Sequence, residues 1–310
     1  MNIPTISIAA WRSATTDERA EIAADVDRAL CTSGFLLATD HGISAELIAE
    51  VRREALAFFA LGPHDKQQYA VRVGGRGWIP PGAEANSYAT GDESPPDLKE
   101  TLKLGYHPDD SPMANRWPTE VPSLRPATET YLADVWKVAI DCFELFSVAL
   151  GLGPDALTRH ASAQASSLNL NWYPSLDSVG PPEEGQFRIG AHSDFGALTL
   201  LDRQAGYGGL QLQTLDGDWI DAPFVDGSMT VNVGDLLARW TGDRWRSTVH
   251  RVLPPSAEDS AEELLSLVNF CGVDPDALIE TLDVDGPHTY EPVLAGDYIL
   301  EKLAAIDTAD

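Results

Sequence analysis

Between about Ser166 and Phe270 the chain is a succession of short runs of alternating character: LNLNWY, ALTLL, GLQLQT, WIDAP, MTVNV, STVHRVL and LLSLVNF, separated by Gly, Asp and Pro. A period of two puts successive side chains on opposite faces of a strand, and turn residues this frequent leave no room for crossover helices. Seven or so such strands predict a sandwich or barrel, not an alternating βαβ sheet.

The flanks read differently. ISIAAW is expected to be a short strand, Thr16 to Cys31 a helix carrying Ile22, Val26, Ala29 and Leu30, and Gly34 to Thr39 a second strand ending in the turn Asp40-His41-Gly42. Ser44 then caps a helix with Leu47, Ile48, Val51, Leu56, Phe58 and Phe59 on one face, broken at Gly62-Pro63. Residues 74–96 (GGRGWIPPGAE and GDESPP) have the composition of long loops. After Pro126 the longest helical pattern runs through Tyr131, Leu132, Val135, Ala139, Phe143, Phe146 and Leu150 to the stop at Gly151, and the tail AGDYILEKLAAI is amphipathic and helical. The chain therefore divides into a mixed α/β region, 1–120, and a β core with a closing helix, 121–310, expected to form one compact unit. The fold class is mainly β with flanking helices.

Forty-eight acidic against 21 basic side chains give a formal charge of −27, which repels phosphate backbones and anionic lipid alike. No nucleic acid and no membrane are expected as partners, and a solvated acidic surface fits a monomer or weak oligomer. Cys31, Cys142 and Cys271 are odd in number and far apart, so neither a disulfide framework nor a paired-thiolate metal site can be drawn. The start MNIPTISIAAW lacks the pattern of a signal peptide, and a cytoplasmic location is expected.

Within the β region, His192-Ser193-Asp194 sits at a strand end, where residues i and i+2 share a face. His250, in STVHRVL, is the other histidine of that region. Two imidazoles and a carboxylate converging from two strands are the ligand set of the facial triad, which leaves open positions on Fe(II). Taken alone the tripeptide is a weak signal, because a lone strand histidine is more often a hydrogen-bonded structural residue. His41, His64, His107, His160 and His288 lie outside the β core and are read as structural or solvated.

The segments around these residues say more. FRIGAHSDFGALTLL, GGLQLQTLDGDWIDAP and VNVGDLLARWTGDRWRSTVHRV resemble the metal-binding strands of the isopenicillin N synthase-like branch of the 2-oxoglutarate/Fe(II) dioxygenases. GFLLATDHGI, FFALGPHDK and DLKETLKLG are similar to that family's N-terminal part, and YEPVLAGDYILEKL to its C-terminal helix. The resemblance implies a distorted double-stranded β-helix, or jelly roll, with Fe(II) held by His192, Asp194 and His250. It also implies O2 and 2-oxoglutarate as co-substrates, and hydroxylation, desaturation or ring closure of a small molecule in specialised metabolism.

Asn171-Trp172-Tyr173-Pro174 matches the family segment whose Asn and Tyr help to bind 2-oxoglutarate, and Ser266 matches the serine of its Arg-x-Ser pair. Leu264, however, stands where the arginine is expected. Strand parity through Gly190 and His192 makes Arg188 a substitute cation unless the glycine marks a bend, whereas Arg251, next to His250, points to the opposite face. Phe270 is implied to flank the substrate, and Trp78 is expected to border the entrance. Two other functions stay open: a 2-oxoglutarate-independent Fe(II)/O2 oxidase, and a catalytically silent jelly roll that only binds a ligand.

Overall fold

A computed structural model describes residues 3–91 and 94–308. The N-terminal part carries β1 (Thr5–Ser7), α1 (Ile8–Ser13), α2 (Thr16–Thr32), β2 (Phe35–Thr39), α3 (Ala45–Phe59), α4 (Pro63–Gln67), β3 (Gly77–Ile79) and β4 (Glu100–Gly105). α5 (Leu124–Ala149) leads to β5 (Ala161–Tyr173), α6 (Leu176–Val179), β6 (Ile189–His192), β7 (Leu198–Asp202), β8 (Leu210–Gln213) and β9 (Trp219–Asp221). Then follow β10 (Met229–Val233), α7 (Asp235–Trp240), β11 (His250–Val252), β12 (Leu264–Val273), β13 (Leu278–Ile279), β14 (Val293–Leu294) and α8 (Ala295–Ile306).

Eight strands form a major sheet in the order β1-β2-β10-β7-β12-β5-β4-β3, and four form a minor sheet, β6-β11-β8-β9. Pairing is antiparallel except between β1 and β2. Neighbours far apart in sequence, such as β5 with β12, give the jelly-roll order. Strands from the first hundred residues close both edges of the same sheet.

Strand parity explains the layers. Leu102 and Leu104 of β4, Leu168 and Leu170 of β5, Leu198 and Leu200 of β7, and Leu265 and Leu267 of β12 face the helical side, in one apolar core with α2, α3 and α5. The alternate residues, Lys103, Asn169, Asn171, Thr199 and Ser266, face the interior between the sheets, where a cavity of about 820 Å³ lies. Polar side chains thus line the cavity without entering the core.

The expected helices form. Ser44, the expected cap, accepts from Leu47 N on α3, and a reciprocal capping box of Thr15 and Glu18, not foreseen, starts α2. Three expectations need correction. ISIAAW is a strand only at its start: Ser7 caps α1, whose Ile8 and Trp11 lie one turn apart and are both buried. Pro63 does not merely end α3 but occupies the first turn of α4, where its missing N–H costs nothing. The 74–96 segment is not all loop, since it contains β3 and a 3-10 turn at Asn86–Thr90; Asp92 and Glu93 lie outside the described residues.

Candidate metal centre

His192 ends β6, and His250 begins β11 directly across from it. Their ring centroids are 4.3 Å apart. Each Nδ1 faces a carbonyl of its own segment, Gly190 O at 2.8 Å and Thr248 O at 3.1 Å. A carbonyl only accepts, so both Nδ1 atoms carry the proton and both Nε2 atoms keep a lone pair. These lone pairs converge on Asp194 Oδ1, 3.7 Å from His192 Nε2 and 3.8 Å from His250 Nε2. That is too far for hydrogen bonds and suits three donors facing one cation.

The carboxylate is prepared on its other side. Asp194 Oδ2 accepts from Thr199 Oγ1 and Asn232 Nδ2, both at 2.6 Å, which fixes its orientation and leaves Oδ1 to the histidines. Burial works to raise the Asp194 pKa, but His250, His192 and these two hydrogen bonds outweigh it and hold the group ionised. Burial, together with the neighbouring His192, pushes His250 down to about 4. The ring is neutral near pH 7, as a metal ligand must be. The 194–197 turn is anchored from α7, where Asp235 N donates to Asp194 O at 2.6 Å. Gly234 permits this approach, since a Cβ there would lie 2.3 Å from Gly196 O.

His192, Asp194 and His250 are the group among the described residues whose ligand atoms come together as a metal site requires, all within 4.8 Å. Sequence reasoning missed Thr199 and Asn232. Their signal was polar residues at alternate positions of the runs ALTLL and MTVNV, Thr199 in the first and Thr230 and Asn232 in the second.

Toward the other end of β5 and β12, Asn171 lies across from Ser266, and Tyr173 across from Leu264. Burial raises the Tyr173 pKa, against the opposing pull of Lys99 and of the neighbouring Asn171, Arg188 and Ser266 side chains, and Thr101 Oγ1 donates to Asn171 Oδ1 at 2.8 Å. Leu264 packs with Tyr173, Ile189, Leu210 and Val252 in a second apolar cluster. Phe270 faces the cavity.

Arg188 and Trp78 differ from expectation in separate ways. Arg188 precedes β6, and its guanidinium lies over the Tyr173 ring, 5.4 Å from the centroid. Its guanidinium pairs with Glu262 at 2.9 Å and also bonds Glu262 O, so it is not a cation waiting for a ligand. Trp78 is not at an entrance: it is core, with Nε1 donating to Glu100 Oε2 at 2.8 Å. Period-two alternation in β3 was hidden by the flanking Gly and Pro. Arg251 points outward, between Phe187 and Trp219. Among the remaining histidines, His41 is held by Gly227 O and Ile43 N, and His107 lines the cavity. The cavity also holds cations that the sequence did not single out, Arg76, Lys99, Lys103 and Arg203.

Comparison with known proteins agrees with this architecture. Residues 3–127 match the family of the N-terminal region of the non-haem dioxygenase in morphine synthesis, and residues 165–272 match the 2OG-Fe(II) oxygenase superfamily. Validamycin A dioxygenase of Streptomyces hygroscopicus subsp. limoneus is 39% identical, over 97% of this chain and 86% of its own length. A 2-oxoglutarate-dependent dioxygenase, frbJ of Dothideomycetidae sp., is 31% identical, over 91% of this chain and 77% of its own. A full-length Neurospora crassa protein, solved in complex with alpha-KG (2-oxoglutarate) and thymine, superposes with a TM-score of 0.85 at 27% identity, over 98% of this chain and 96% of the other. With a jelly roll, two imidazoles and a carboxylate on one face, and these relatives along nearly its whole length, the chain belongs to the 2OG-Fe(II) oxygenase superfamily.

Proposed function

We propose that the protein is an Fe(II)- and 2-oxoglutarate-dependent oxygenase that hydroxylates or desaturates a small molecule of specialised metabolism. The observation that carries this reading is the convergence of His192 Nε2, His250 Nε2 and Asp194 Oδ1 on the wall of a cavity of about 820 Å³. Likeness to validamycin A dioxygenase and to the thymine-bound Neurospora crassa protein supports a small organic substrate.

Bound there, Fe(II) with 2-oxoglutarate and O2 supplies an oxidant able to remove hydrogen from an unreactive C–H bond. The chain supplies position. The two imidazoles and Asp194 occupy one side of the site, Thr199 and Asn232 keep the carboxylate from rotating, and the Phe35 ring stands edge-on to His250 at 5.6 Å. Asn171, Tyr173 and Ser266 would take the far carboxylate of 2-oxoglutarate, with the phenol and hydroxyl as donors. The Lys99 ammonium and the Arg188 guanidinium, each paired with an acid, Glu84 and Glu262, both act electrostatically on Tyr173, so positive groups flank this end although Leu264 carries no charge. Phe270 would face the substrate. Residues 1–120 and 121–310 would work as one unit, an inference supported by the sheet they share.

No helix among the described residues is long and apolar enough to cross a membrane. A cytoplasmic location, a monomeric or weakly oligomeric state and indifference to nucleic acid are further inferences, from the charge of −27 and the unpaired cysteines.

The test is anaerobic Fe(II) binding by the apo protein and its His192→Ala variant, followed by incubation with labelled 2-oxoglutarate. Equal iron binding by the two proteins overturns the metal site. Substrate oxidation without labelled succinate overturns the co-substrate and favours an oxidase that draws all its electrons from the substrate.

A further inference from the structure

The wall built by β3, β4 and β5 holds buried donors that nothing in the metal chemistry uses. Lys103 of β4 is 8% exposed and faces the cavity across from Asn169 of β5 and Gly77 of β3. Among the described residues its ammonium has no hydrogen bond and no ion pair; the nearby Glu84 is already taken by Lys99. Arg76 is 9% exposed and folds back over β4, where a Cβ on Gly105 would lie 2.6 Å from its Nε. Glycine at 105 therefore makes room for the guanidinium. Arg76 Nη2 donates to Ser166 O at 3.2 Å, while Nε has no partner. Asn169 is 7% exposed; its Oδ1 lacks a partner but only accepts, so toward an anion this residue can offer Nδ2 alone.

Two cations, desolvated side by side with the one nearby acid already paired to Lys99, are costly unless an acceptor joins them. Burial first, and Arg76 second, push Lys103 down to about 7, so a negative charge placed between the two relieves both. The site adjoins the co-substrate end: on β5 Asn169 is two residues from Asn171 and four from Tyr173, roughly 7 and 13 Å along the strand.

We propose that Lys103, Arg76 and Asn169 form an oxyanion subsite that grips a carboxylate of the organic substrate and so fixes which carbon is presented to the metal. Its role in the reaction rests on the oxygenase reading above; the binding of an anion does not.

The test is calorimetric binding of acetate, benzoate and 3-phenylpropionate, each against its amide, and of inorganic phosphate. It uses the full chain at pH 6.5, anaerobically with Fe(II) and 2-oxoglutarate and again without them. At least one acid is expected to bind about 10-fold or more tightly than its amide. Lys103→Met and Arg76→Leu should each lower that acid's affinity about 10- to 100-fold, and Lys103→Arg should keep most of it. 2-Oxoglutarate should bind Lys103→Met as it binds the parent. Acids no tighter than amides, or a preference that survives Lys103→Met, overturn the proposal. So does a loss of 2-oxoglutarate affinity in Lys103→Met, which would assign the cations to the co-substrate. Phosphate bound in preference to every carboxylate overturns the carboxylate in favour of a phosphorylated substrate. Failure of the oxygenase reading would appear separately, as acid binding that persists in a protein unable to hold Fe(II).

Discussion

Replacing Leu264 by arginine tests where the co-substrate lies. Leu264 is buried among Ile189, Leu210 and Val252, across the sheet from Tyr173 and two residues from Ser266. An arginine there loses the burial of leucine, about 1.5–3 kcal/mol, and places a guanidinium in an apolar cluster. The nearest acid is unavailable to it, because Glu262 Oε1 holds Arg188 and Oε2 accepts from Tyr207 N at 2.6 Å. Without ligand the variant should therefore be less stable by about 3–5 kcal/mol. With an unfolding entropy of about 2.1 cal/mol/K per residue over 310 residues, that is a fall in Tm of roughly 5–8 °C. If the far carboxylate of 2-oxoglutarate sits beside Tyr173 and Ser266, it pairs with the new guanidinium and returns most of this energy. The affinity then rises roughly 10²- to 10³-fold, and saturating 2-oxoglutarate restores much of the lost Tm. Anaerobic calorimetry with Fe(II), together with thermal melts with and without 2-oxoglutarate, measures both. Unchanged affinity and an unrecovered Tm would refute the placement.

Asn232→Ala should weaken Fe(II) binding about 10- to 100-fold by freeing Asp194 Oδ2, with the fold intact by circular dichroism; unchanged affinity would count against that carboxylate as a ligand. Lys66→Met leaves the buried Glu100 with only Trp78 as donor and should cost about 3–5 kcal/mol, whereas adding Glu100→Gln should recover much of the loss in denaturant titrations. Lys103 binds its proton less readily folded than unfolded, with its pKa lowered from 10.5 to about 7 by burial, then by Arg76 and Lys99, against the opposing pull of Glu84. Its charge therefore destabilises the fold fully below about pH 7 and not above about pH 10.5, so the stability of Lys103→Met relative to the parent should grow as pH falls through that window. A constant difference from pH 10 to pH 7 would contradict the burial argument.

The sequence made the fold class legible because the period of two between Ser166 and Phe270 is set by the two faces of the major sheet, one against helices and one against the cavity. The metal residues were legible chiefly from the segments around them, since Asp194 lies in the turn that follows β6 rather than on the strand with His192. What lay hidden depends on contacts between distant segments. Nothing near Arg188 announces Glu262, 74 residues away, as its partner. Lys103 read as one more lysine in DLKETLKLG until β3 and β5 were seen to enclose it. Trp78 was misplaced because Gly and Pro signal turns without saying that three residues between them add a strand to a sheet edge.

The cross-strand pairing of His192 with His250 has a consequence for assembly of the molecule. β6 and β11 are four and three residues long, and their sheet packs on the smaller of the two apolar clusters. An ion shared by those two histidines would act as a clasp across the weaker sheet, so iron supply would govern how often that sheet opens while the helix-backed sheet stays closed. Amide exchange should therefore slow on metal loading in β6 and β11 far more than in β5 or β12, making half of the jelly roll a reporter of cellular iron.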